Sequence, residues 1–449
     1  MTFSVLDSVL AGPLFATEPM RAVFSDRARI AAMLRMEAAL ARAEAVHGFA
    51  PEELAAAIES IDPGSLDIAG LGRATALAGV PTIPFVKAVQ ARLPPDLERA
   101  FHRGATTQDV LDTALVLQIR DALELLRQDL VAVIDGLARL ADRYRATACA
   151  GRTYGQHAAP VTFGFKAAVW LTGVAEIAGQ LPWLRERVLV ASLGGPVGTL
   201  AALGERGPEV LEAFARELGL EPTPLAWHAL RGRMAETGSW LAILIGALTK
   251  MAADVAHLTS TEVGEVAEPY QPGRGGSSAM PHKRNPVSAT IILAAHAAAK
   301  AQVAVLLDAM AAQHERPAGL WHAEWQALPM LFGIASGALR EARVLAEGLE
   351  IDEARMRRNL DVTGGLLFAD AAAARLGPVL GREEAHALVE RAADEVRRTG
   401  EPLPQVLARM TPHDVSAAFD LGPAVAAAGP WIDRARAEAE RVRASLTGG

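Results

Sequence analysis

The chain has 449 residues, of which 51% are hydrophobic and 21% are charged, a composition typical of a globular protein with a substantial core. Its formal net charge of −8 provides no general positive field for nucleic acid or anionic lipid, so a local cluster must attract any anionic ligand. The single cysteine, Cys149, excludes an internal disulfide and a metal site built from several cysteines.

The N-terminal stretch MTFSVLDSVLAGPLFATEPMRAVF has no basic segment ahead of its apolar residues, which argues against a signal peptide. No uninterrupted apolar run approaches the roughly 20 residues that span a bilayer. We therefore expect a cytoplasmic protein that has neither a membrane nor a nucleic acid as its partner.

Alanine, leucine, arginine and glutamate dominate, which predicts an all-α fold. Residues 1–110 contain short helical patterns, one of which starts with Ser25 or Asp26 as its cap and ends before Gly48 and Pro51. We assign these residues to an N-terminal helical domain.

A polar stretch, FHRGATTQDVLDTA at 101–114, precedes the first long helical pattern. Its hydroxyl, amide and basic groups are suited to holding carboxylate oxygens. The candidate substrate-binding residues here are His102, Arg103, Thr106, Thr107 and Gln108. The alternative is a helix cap, in which Thr107 or Asp109 only satisfies backbone donors.

Long helices are predicted through the middle of the chain. After Ile119 the apolar residues recur every three or four positions, namely Leu123, Leu126, Leu130, Val133, Leu137 and Leu140. Similar patterns cover about 162–190, 231–263 and 286–314, which together predict a central long-helix bundle over 111–350. Residues 351–449 return to shorter helical patterns, and we assign them to a C-terminal helical domain.

A second polar stretch, GRTYGQHAAPVTFG, occupies 151–164 ahead of another predicted helix. Its candidate site residues are Arg152, Thr153, Tyr154, Gln156 and His157. The alternative for His157 is a packed or hydrogen-bonded residue without a catalytic role.

The third stretch, GGSSAMPHKRNP at 275–286, is a glycine-hinged loop that leads into a helix, and we expect Asn285 as the cap and Pro286 as the first helical residue. Backbone N–H groups at that helix start, with Lys283 and Arg284, would favour an anion. The alternative is a solvated basic loop. The spacing does not match a nucleotide phosphate loop.

Together the three stretches resemble the signature regions of the fumarase/aspartase superfamily, and the resemblance extends over nearly the whole chain. The stretches MRAVFSDRARI, GATTQDVLDTALVLQIRDAL, TEVGEVAEP and HERPAGLWHAEWQALP are most similar to bacterial 3-carboxy-cis,cis-muconate cycloisomerases. The resemblance implies a three-domain helical subunit, a homotetramer whose active sites are shared between subunits, a small polycarboxylate substrate, and neither metal nor organic cofactor.

The resemblance also implies roles for single residues. Ser277 corresponds to the base that removes an α-proton, while Lys283 and Asn285 help to bind the carboxylate on which charge collects. Ser278 and Met280 belong to the same substrate-binding loop. His157 is a second candidate for proton transfer.

Two departures from the superfamily pattern favour one reaction. A histidine that protonates the leaving group, and the glutamate paired with it, are replaced by Tyr154 and Thr290. A carboxylate leaving group needs no proton at neutral pH, because its conjugate acid has a pKa of about 4. Lactone opening, the reverse of muconate lactonisation, expels such a group.

A third departure concerns the stretch WHAEW, which in the adenylosuccinate lyases resembles a phosphate clamp of serines and an arginine. Here Trp321 and His322 replace the serines and Trp325 replaces the arginine, which argues against a nucleotide substrate. We therefore expect a cycloisomerase that interconverts 3-carboxy-cis,cis-muconate and 4-carboxymuconolactone. The alternatives are a lyase that eliminates another good leaving group, such as nitrite, from a substituted succinate, and a non-catalytic helical scaffold.

Overall fold

The protein is described by a computed structural model that covers residues 3–276 and 279–448, in which most residues are helical and few lie in strands. The N-terminal helices are α1 (Gly12–Phe15), α2 (Glu18–Val23), α3 (Asp26–Val46), α4 (Glu53–Glu59), α5 (Ile68–Ala78), α6 (Thr82–Gln90) and α7 (Pro95–Glu98). The middle of the chain contains α8 (Thr107–Arg143), α9 (Phe163–Ala178), α10 (Leu181–Val188), α11 (Gly207–Leu218), α12 (Gly232–Leu258), α13 (Val287–Ala309) and α14 (Leu320–Gly348). The C-terminal helices are α15 (Glu353–Leu360), α16 (Ala369–Leu380), α17 (Arg382–Thr399), α18 (Leu403–Met410) and α19 (Gly422–Thr447). The prediction of an all-α fold is confirmed.

Two small antiparallel sheets interrupt the helices. One is the hairpin of β1 (Ala148–Thr153) and β2 (Gln156–Thr162), and the other pairs β3 (Val266–Ala267) with β4 (Glu350–Ile351). The hairpin was not predicted, because its strands are rich in alanine and carry few β-branched residues.

The chain divides into two compact units. Unit one contains residues 1–129, 180–246 and 294–340, and unit two contains residues 130–179, 247–293 and 341–449. The predicted three-domain division at 110 and 350 stays a prediction. Within unit two, helices α16, α17 and α18 enclose a separate apolar core that includes Leu388, Leu403 and Leu407.

The predicted start of the long N-terminal helix is confirmed. The Ser25 side chain accepts a hydrogen bond from the backbone N–H of Ala28, and α3 runs from Asp26 to Val46. The apolar stripe predicted for α8 is also present, since its members from Leu123 to Leu137 are fully buried. A buried stripe of this length gives α8 most of its stability through packing.

The long helices pack closely at glycines. In unit one, a Cβ on Gly238 of α12 would overlap Leu306 of α13, and in unit two a Cβ on Gly136 of α8 would lie 2.8 Å from the Cβ of Ala346 in α14. Any larger side chain at either glycine would force two helices apart.

The helix predicted over about 162–190 is in fact two helices. Helix α9 ends at Ala178 and α10 begins at Leu181, with Pro182 in its first turn. Proline lacks a backbone donor and is favoured in the first turn of a helix, which agrees with a new helix starting at this point.

Candidate active site

The first polar stretch, in unit one, is organised by the buried carboxylate of Asp109. Its oxygens accept hydrogen bonds from the backbone N–H groups of Thr106, Gly194 and Gly195, each at 2.9 Å, and one oxygen lies 2.6 Å from Nε2 of His228. A carboxylate with four such partners is fully satisfied without solvent. Asp109 therefore satisfies backbone donors, as in the helix-cap alternative, and it also joins the loop before α8 to the glycine loop at 194–195.

Thr106 meets an arginine that the sequence analysis did not single out. Nη2 of Arg316 donates to Oγ1 of Thr106 at 2.8 Å and to the carbonyl of Pro196 at 3.2 Å. Thr106 and Thr107 are both partly exposed, so this end of the stretch can reach a ligand.

Gln108 has a different position from the one predicted. Its side chain is fully buried, and its amide donates to Oδ2 of Asp112 at 3.2 Å and to the carbonyl of His228 at 2.8 Å. We therefore correct its predicted role for the amide N–H groups, which support the loop, while Oε1 is buried and has no hydrogen-bond partner among the described residues.

Behind this loop lies a buried ionic network in unit one. The guanidinium of Arg231 donates to both oxygens of Asp112, at 2.7 and 3.1 Å, and to both oxygens of Glu324, at 2.9 and 2.5 Å. Burial would lower the pKa of Arg231, but the two carboxylates outweigh burial and raise it. Breaking one such pair while leaving the other charge buried is strongly destabilising.

The stretch WHAEW is part of the same network. The indole N–H of Trp321 donates to Oδ1 of Asp112 at 3.0 Å, and its ring packs edge-on against Trp325 with centroids 5.0 Å apart. Trp321 is buried. These indoles occupy the segment where a phosphate clamp would need hydroxyl and guanidinium groups, in agreement with the sequence argument against a nucleotide.

His102 and Arg103 point to different partners. Nδ1 of His102 lies 2.6 Å from Oε1 of Glu37, a buried residue of α3 that the sequence analysis missed. Arg103 is exposed and donates to the carbonyl of Phe49 at 3.1 Å. Only the tertiary fold brings Glu37 to His102, because the two residues are 65 positions apart.

The second polar stretch forms the β1–β2 hairpin in unit two. Tyr154 and Gly155 occupy its two-residue turn with positive φ angles of 52° and 77°, the backbone geometry of a type I′ turn. Tyr154 is fully exposed at the tip, and the exposed Thr153 and Gln156 flank it. These three predicted site residues can therefore contact a ligand or a partner chain.

Arg152 is held by a buried ion pair. Its guanidinium donates to both oxygens of Glu265, at 3.0 and 2.6 Å, and the amide of Asn359 donates to Oε1 of Glu265 at 2.8 Å. Glu265 is fully buried and Arg152 is nearly so. This arrangement corrects the prediction that Arg152 is free to bind substrate, because its charge is already committed to Glu265.

His157 pairs with Arg152 across the hairpin. Burial, the charge of Arg152 and the charge of Lys166 lower the pKa of His157, against the opposing charge of Glu265. Nδ1 of His157 is buried and has no hydrogen-bond partner among the described residues. The lowered pKa favours the neutral imidazole, which can accept a proton.

The third stretch forms a loop whose two ends meet. The backbone N–H of Asn285 donates to the carbonyl of Gly275 at 2.8 Å. Gly275 has a φ of 67°, and a Cβ there would lie 2.6 Å from the carbonyl oxygen of Asn285, so glycine is required at this point. The predicted residues Ser277 and Ser278 lie outside the described residues.

An arginine anchors each end of this loop. Arg274 contacts Oγ of Ser288 at 2.7 Å and pairs with Glu341. Arg284 pairs with Glu350, with N···O distances of 3.0 and 3.1 Å. Arg284 is thus paired with Glu350 in an exposed ion pair, and its availability to a substrate carboxylate stays a prediction.

The predicted start of the next helix is also wrong. Helix α13 begins at Val287, and its first free N–H groups, those of Ser288 and Ala289, donate at 2.9 Å to the two carboxylate oxygens of Glu268. Glu268 fills the place expected for Asn285 and for a bound anion, because a carboxylate is the preferred partner of a helix N-terminus. The sequence gives no local signal for a cap 20 positions away.

A cleft of about 640 Å³ opens beside the loop in unit two. Three predicted site residues, Met280, Lys283 and Asn285, line it. The lining also includes Thr259, Thr261, Tyr270 and His282, which were not assigned a role from the sequence. A small polar cleft with a lysine is suited to a polycarboxylate.

No group of three or more His, Cys, Asp or Glu residues could hold a metal ion within 3–276 and 279–448. Cys149 is buried, and burial raises the pKa of its thiol to about 12, so it is unreactive as a nucleophile.

Known proteins are similar to this chain over most of its length. A family model described as Lyase matches residues 15–300. The chain is 47% identical to the 3-carboxy-cis,cis-muconate cycloisomerase of Pseudomonas aeruginosa, covering 94% of this chain and 95% of that protein. It is 46% identical to the nitrosuccinate lyase of Streptomyces davaonensis, covering 90% of this chain and 88% of that protein. The crystal structure of the 3-carboxy-cis,cis-muconate lactonizing enzyme from Pseudomonas putida matches with a TM-score of 0.91 at 43% identity, covering 96% of this chain and 98% of that one.

Proposed function

The chain belongs to the lyase family of the fumarase/aspartase superfamily, and we propose that it is a 3-carboxy-cis,cis-muconate cycloisomerase. The reaction interconverts 3-carboxy-cis,cis-muconate and 4-carboxymuconolactone, a step of protocatechuate breakdown. The observation that carries the proposal is the 47% identity over nearly the full length of both chains.

In the lactone-forming direction, one substrate carboxylate adds to the ring-forming carbon through a new C–O bond. The electrons of the attacked double bond move towards a second carboxylate and form an enediolate. A proton delivered to the α-carbon completes the reaction. Groups that stabilise the enediolate more strongly than they stabilise the substrate accelerate this reaction.

Ser277 is the residue we assign to the α-carbon proton, as donor in lactone formation and as base in lactone opening. A serine hydroxyl serves as a base only where a nearby cation stabilises its alkoxide. Lys283, which lines the cleft, supplies a cation on the same loop, and Asn285 adds an amide donor. The neutral His157 is a second acceptor for the proton.

The residues at Tyr154 and Thr290 support an internal carboxylate as the leaving group. The Thr290 hydroxyl donates to the carbonyl of Pro286 at 2.7 Å. Threonine has no carboxylate, so this residue cannot polarise a neighbouring acid as the superfamily's glutamate does. A carboxylate departs without protonation at neutral pH. The absence of the superfamily's acid pair in the sequence is therefore compatible with turnover of a lactone.

A second, weaker candidate is a nitrosuccinate lyase, which rests on the similarity at 46% identity to the Streptomyces davaonensis protein. Nitrite is also a good leaving group and needs no acid to assist its departure. Release of fumarate and nitrite from nitrosuccinate distinguishes this reaction from lactone formation. Detectable turnover of either substrate rejects a non-catalytic scaffold.

The proposed assembly is a homotetramer with active sites shared between subunits. Judged by length and composition alone, helices α12 and α13 could cross a membrane. Only 44% of the most apolar 18-residue stretch of α12, and 28% of that of α13, is buried within the subunit. Ile243, Leu293 and Leu307 are exposed on them. Contact with further copies of the chain would bury these side chains, as expected for an obligate interface. We propose the cytoplasm as the location.

Purified protein tests the proposed reaction directly. Loss of the diene absorbance of 3-carboxy-cis,cis-muconate, with the lactone identified by NMR, is the expected result. No turnover at micromolar enzyme would reject the proposal. Light scattering on the same preparation should give the mass of four chains.

A further inference from the structure

A buried acidic pair lies behind His102 in unit one. Glu37 and Glu44 are two turns apart on α3, and each is only 1% exposed. Oε2 of Glu37 and Oε1 of Glu44 have no hydrogen-bond partner among the residues that the structure describes. Carboxyl groups are rarely fully buried unless they are paired with a neighbouring group.

That neighbour is His102, whose backbone and side chain are both constrained. Its φ of 59° lies in the left-handed region, which a residue with a Cβ seldom adopts. The conformation brings Nδ1 to 2.6 Å from Oε1 of Glu37. Among the described residues, Nε2 of His102 makes no hydrogen bond. Nδ1 of the ring is therefore bonded to a buried carboxyl group, and Nε2 remains available to bind a ligand.

We propose that Glu37 is a positioning residue that holds His102 in its protonated form and leaves Nε2–H as a charged donor for a substrate carboxylate. This inference rests on the proposed function, because only the resemblance places His102 at the substrate. An imidazolium with one N–H bonded to a carboxylate has a fixed orientation and a fixed charge, so its other N–H is a strong donor for an anion.

The surrounding charges agree with this role. Burial alone would lower the pKa of His102, but the charge and the hydrogen bond of Glu37, followed by the charge of Asp109, outweigh burial and raise it. Burial and the charge of Glu37 raise the pKa of Glu44 to about 8, against Arg103 and His102. The raised pKa of Glu44 favours its neutral form near pH 7, so Glu37 is the carboxyl group that pairs with His102.

Glu44→Gln is the matched control for Glu37→Gln. Both replace a buried carboxyl on the same helix with an amide of nearly the same shape. Glutamine at position 44 resembles the neutral acid that is already present, so this variant should keep the activity of the parent at pH 7. Glutamine at position 37 removes the charge that holds the proton on His102.

The first measurement does not depend on activity. Hydrogen–deuterium exchange at the imidazole carbon, followed by mass spectrometry of the peptide that carries His102, gives the pKa of this histidine in the full-length protein. We expect the pKa of His102 in the parent to exceed 6.5 and to fall by about 1 to 3 pH units in Glu37→Gln. A parent pKa at or below its ordinary value would overturn the proposal even if the variant fails to fold.

The second measurement is the pH profile of muconate turnover. Glu37→Gln should raise KM about tenfold with a smaller change in kcat, because the lost donor binds substrate and transition state alike. The defect should be largest between the two His102 pKa values and should shrink at lower pH, where both proteins carry the charge. A defect that is constant with pH would show a merely structural role and overturn the proposal. If the parent shows no turnover while the exchange result holds, the proposed reaction fails and the Glu37–His102 pair stands.

Discussion

Replacing Glu44 with glutamine should stabilise the fold at alkaline pH. Glu44 is buried on α3, and its pKa rises from 4.5 to about 8, first because of burial and then because of the charge of Glu37. The folded protein therefore binds more protons than the unfolded chain between these two values. Its stability falls as the pH rises through that window, since ionising the buried carboxyl costs free energy.

The magnitude follows from the width of the window. Each pH unit between 4.5 and about 8 contributes about 1.4 kcal/mol, so the full cost above pH 8 is on the order of 4 to 5 kcal/mol. An unfolding entropy of about 2.1 cal/mol/K per residue over 449 residues converts this cost to a difference in Tm of about 5 °C. The glutamine variant does not titrate and should avoid the cost.

Thermal unfolding of the parent and of Glu44→Gln, compared from pH 5 to pH 9 at one protein concentration, tests this reasoning. The two Tm values should nearly coincide at pH 5 and should separate in favour of the variant towards pH 8. Glu52→Gln removes one charge at an exposed position and controls for the change in net charge. A difference in Tm that does not vary with pH, or a Glu44→Gln variant that is less stable than the parent at pH 8, would refute the reasoning about Glu44.

Three further variants test the site. Ser277→Ala should lower kcat by on the order of 100-fold or more with unchanged circular dichroism, and near-normal activity would remove Ser277 from the mechanism. Arg152→Met should destabilise the fold by about 3 to 5 kcal/mol in urea unfolding, because it leaves Glu265 buried without its cation; a stability equal to that of the parent would contradict the ion pair. Tyr154→Phe should keep kcat within about threefold, because a carboxylate leaving group needs no acid, whereas a much larger loss would assign the hydroxyl a proton.

Local sequence signals predicted the parts of the fold that depend on neighbouring residues. The Ser25 cap and the apolar stripe of α8 are both contained within one helix, and the structure has them as predicted. The β1–β2 hairpin was missed because the alanines of its strands favour helix in isolation, while the only local sign was the Tyr154–Gly155 turn.

The supporting residues of the site could not be predicted in the same way, because their partners are far apart in the sequence. Glu37 reaches His102 across 65 positions, and Glu268 reaches the start of α13 across 20. Asp109 and His228 are 119 positions apart. Sequence patterns identify polar residues that are unusual for their segment, but only the packed structure shows which of them satisfy one another and which face a ligand.

The comparison of two substrates on the same preparation tests the central claim most directly. The values of kcat/KM for 3-carboxy-cis,cis-muconate and for nitrosuccinate are measured side by side, with 4-carboxymuconolactone, fumarate and nitrite quantified as products. We predict efficient conversion of the muconate to the lactone and a much lower kcat/KM for nitrosuccinate. Stoichiometric release of fumarate and nitrite from nitrosuccinate, without lactone formation from the muconate, would contradict the proposed cycloisomerase.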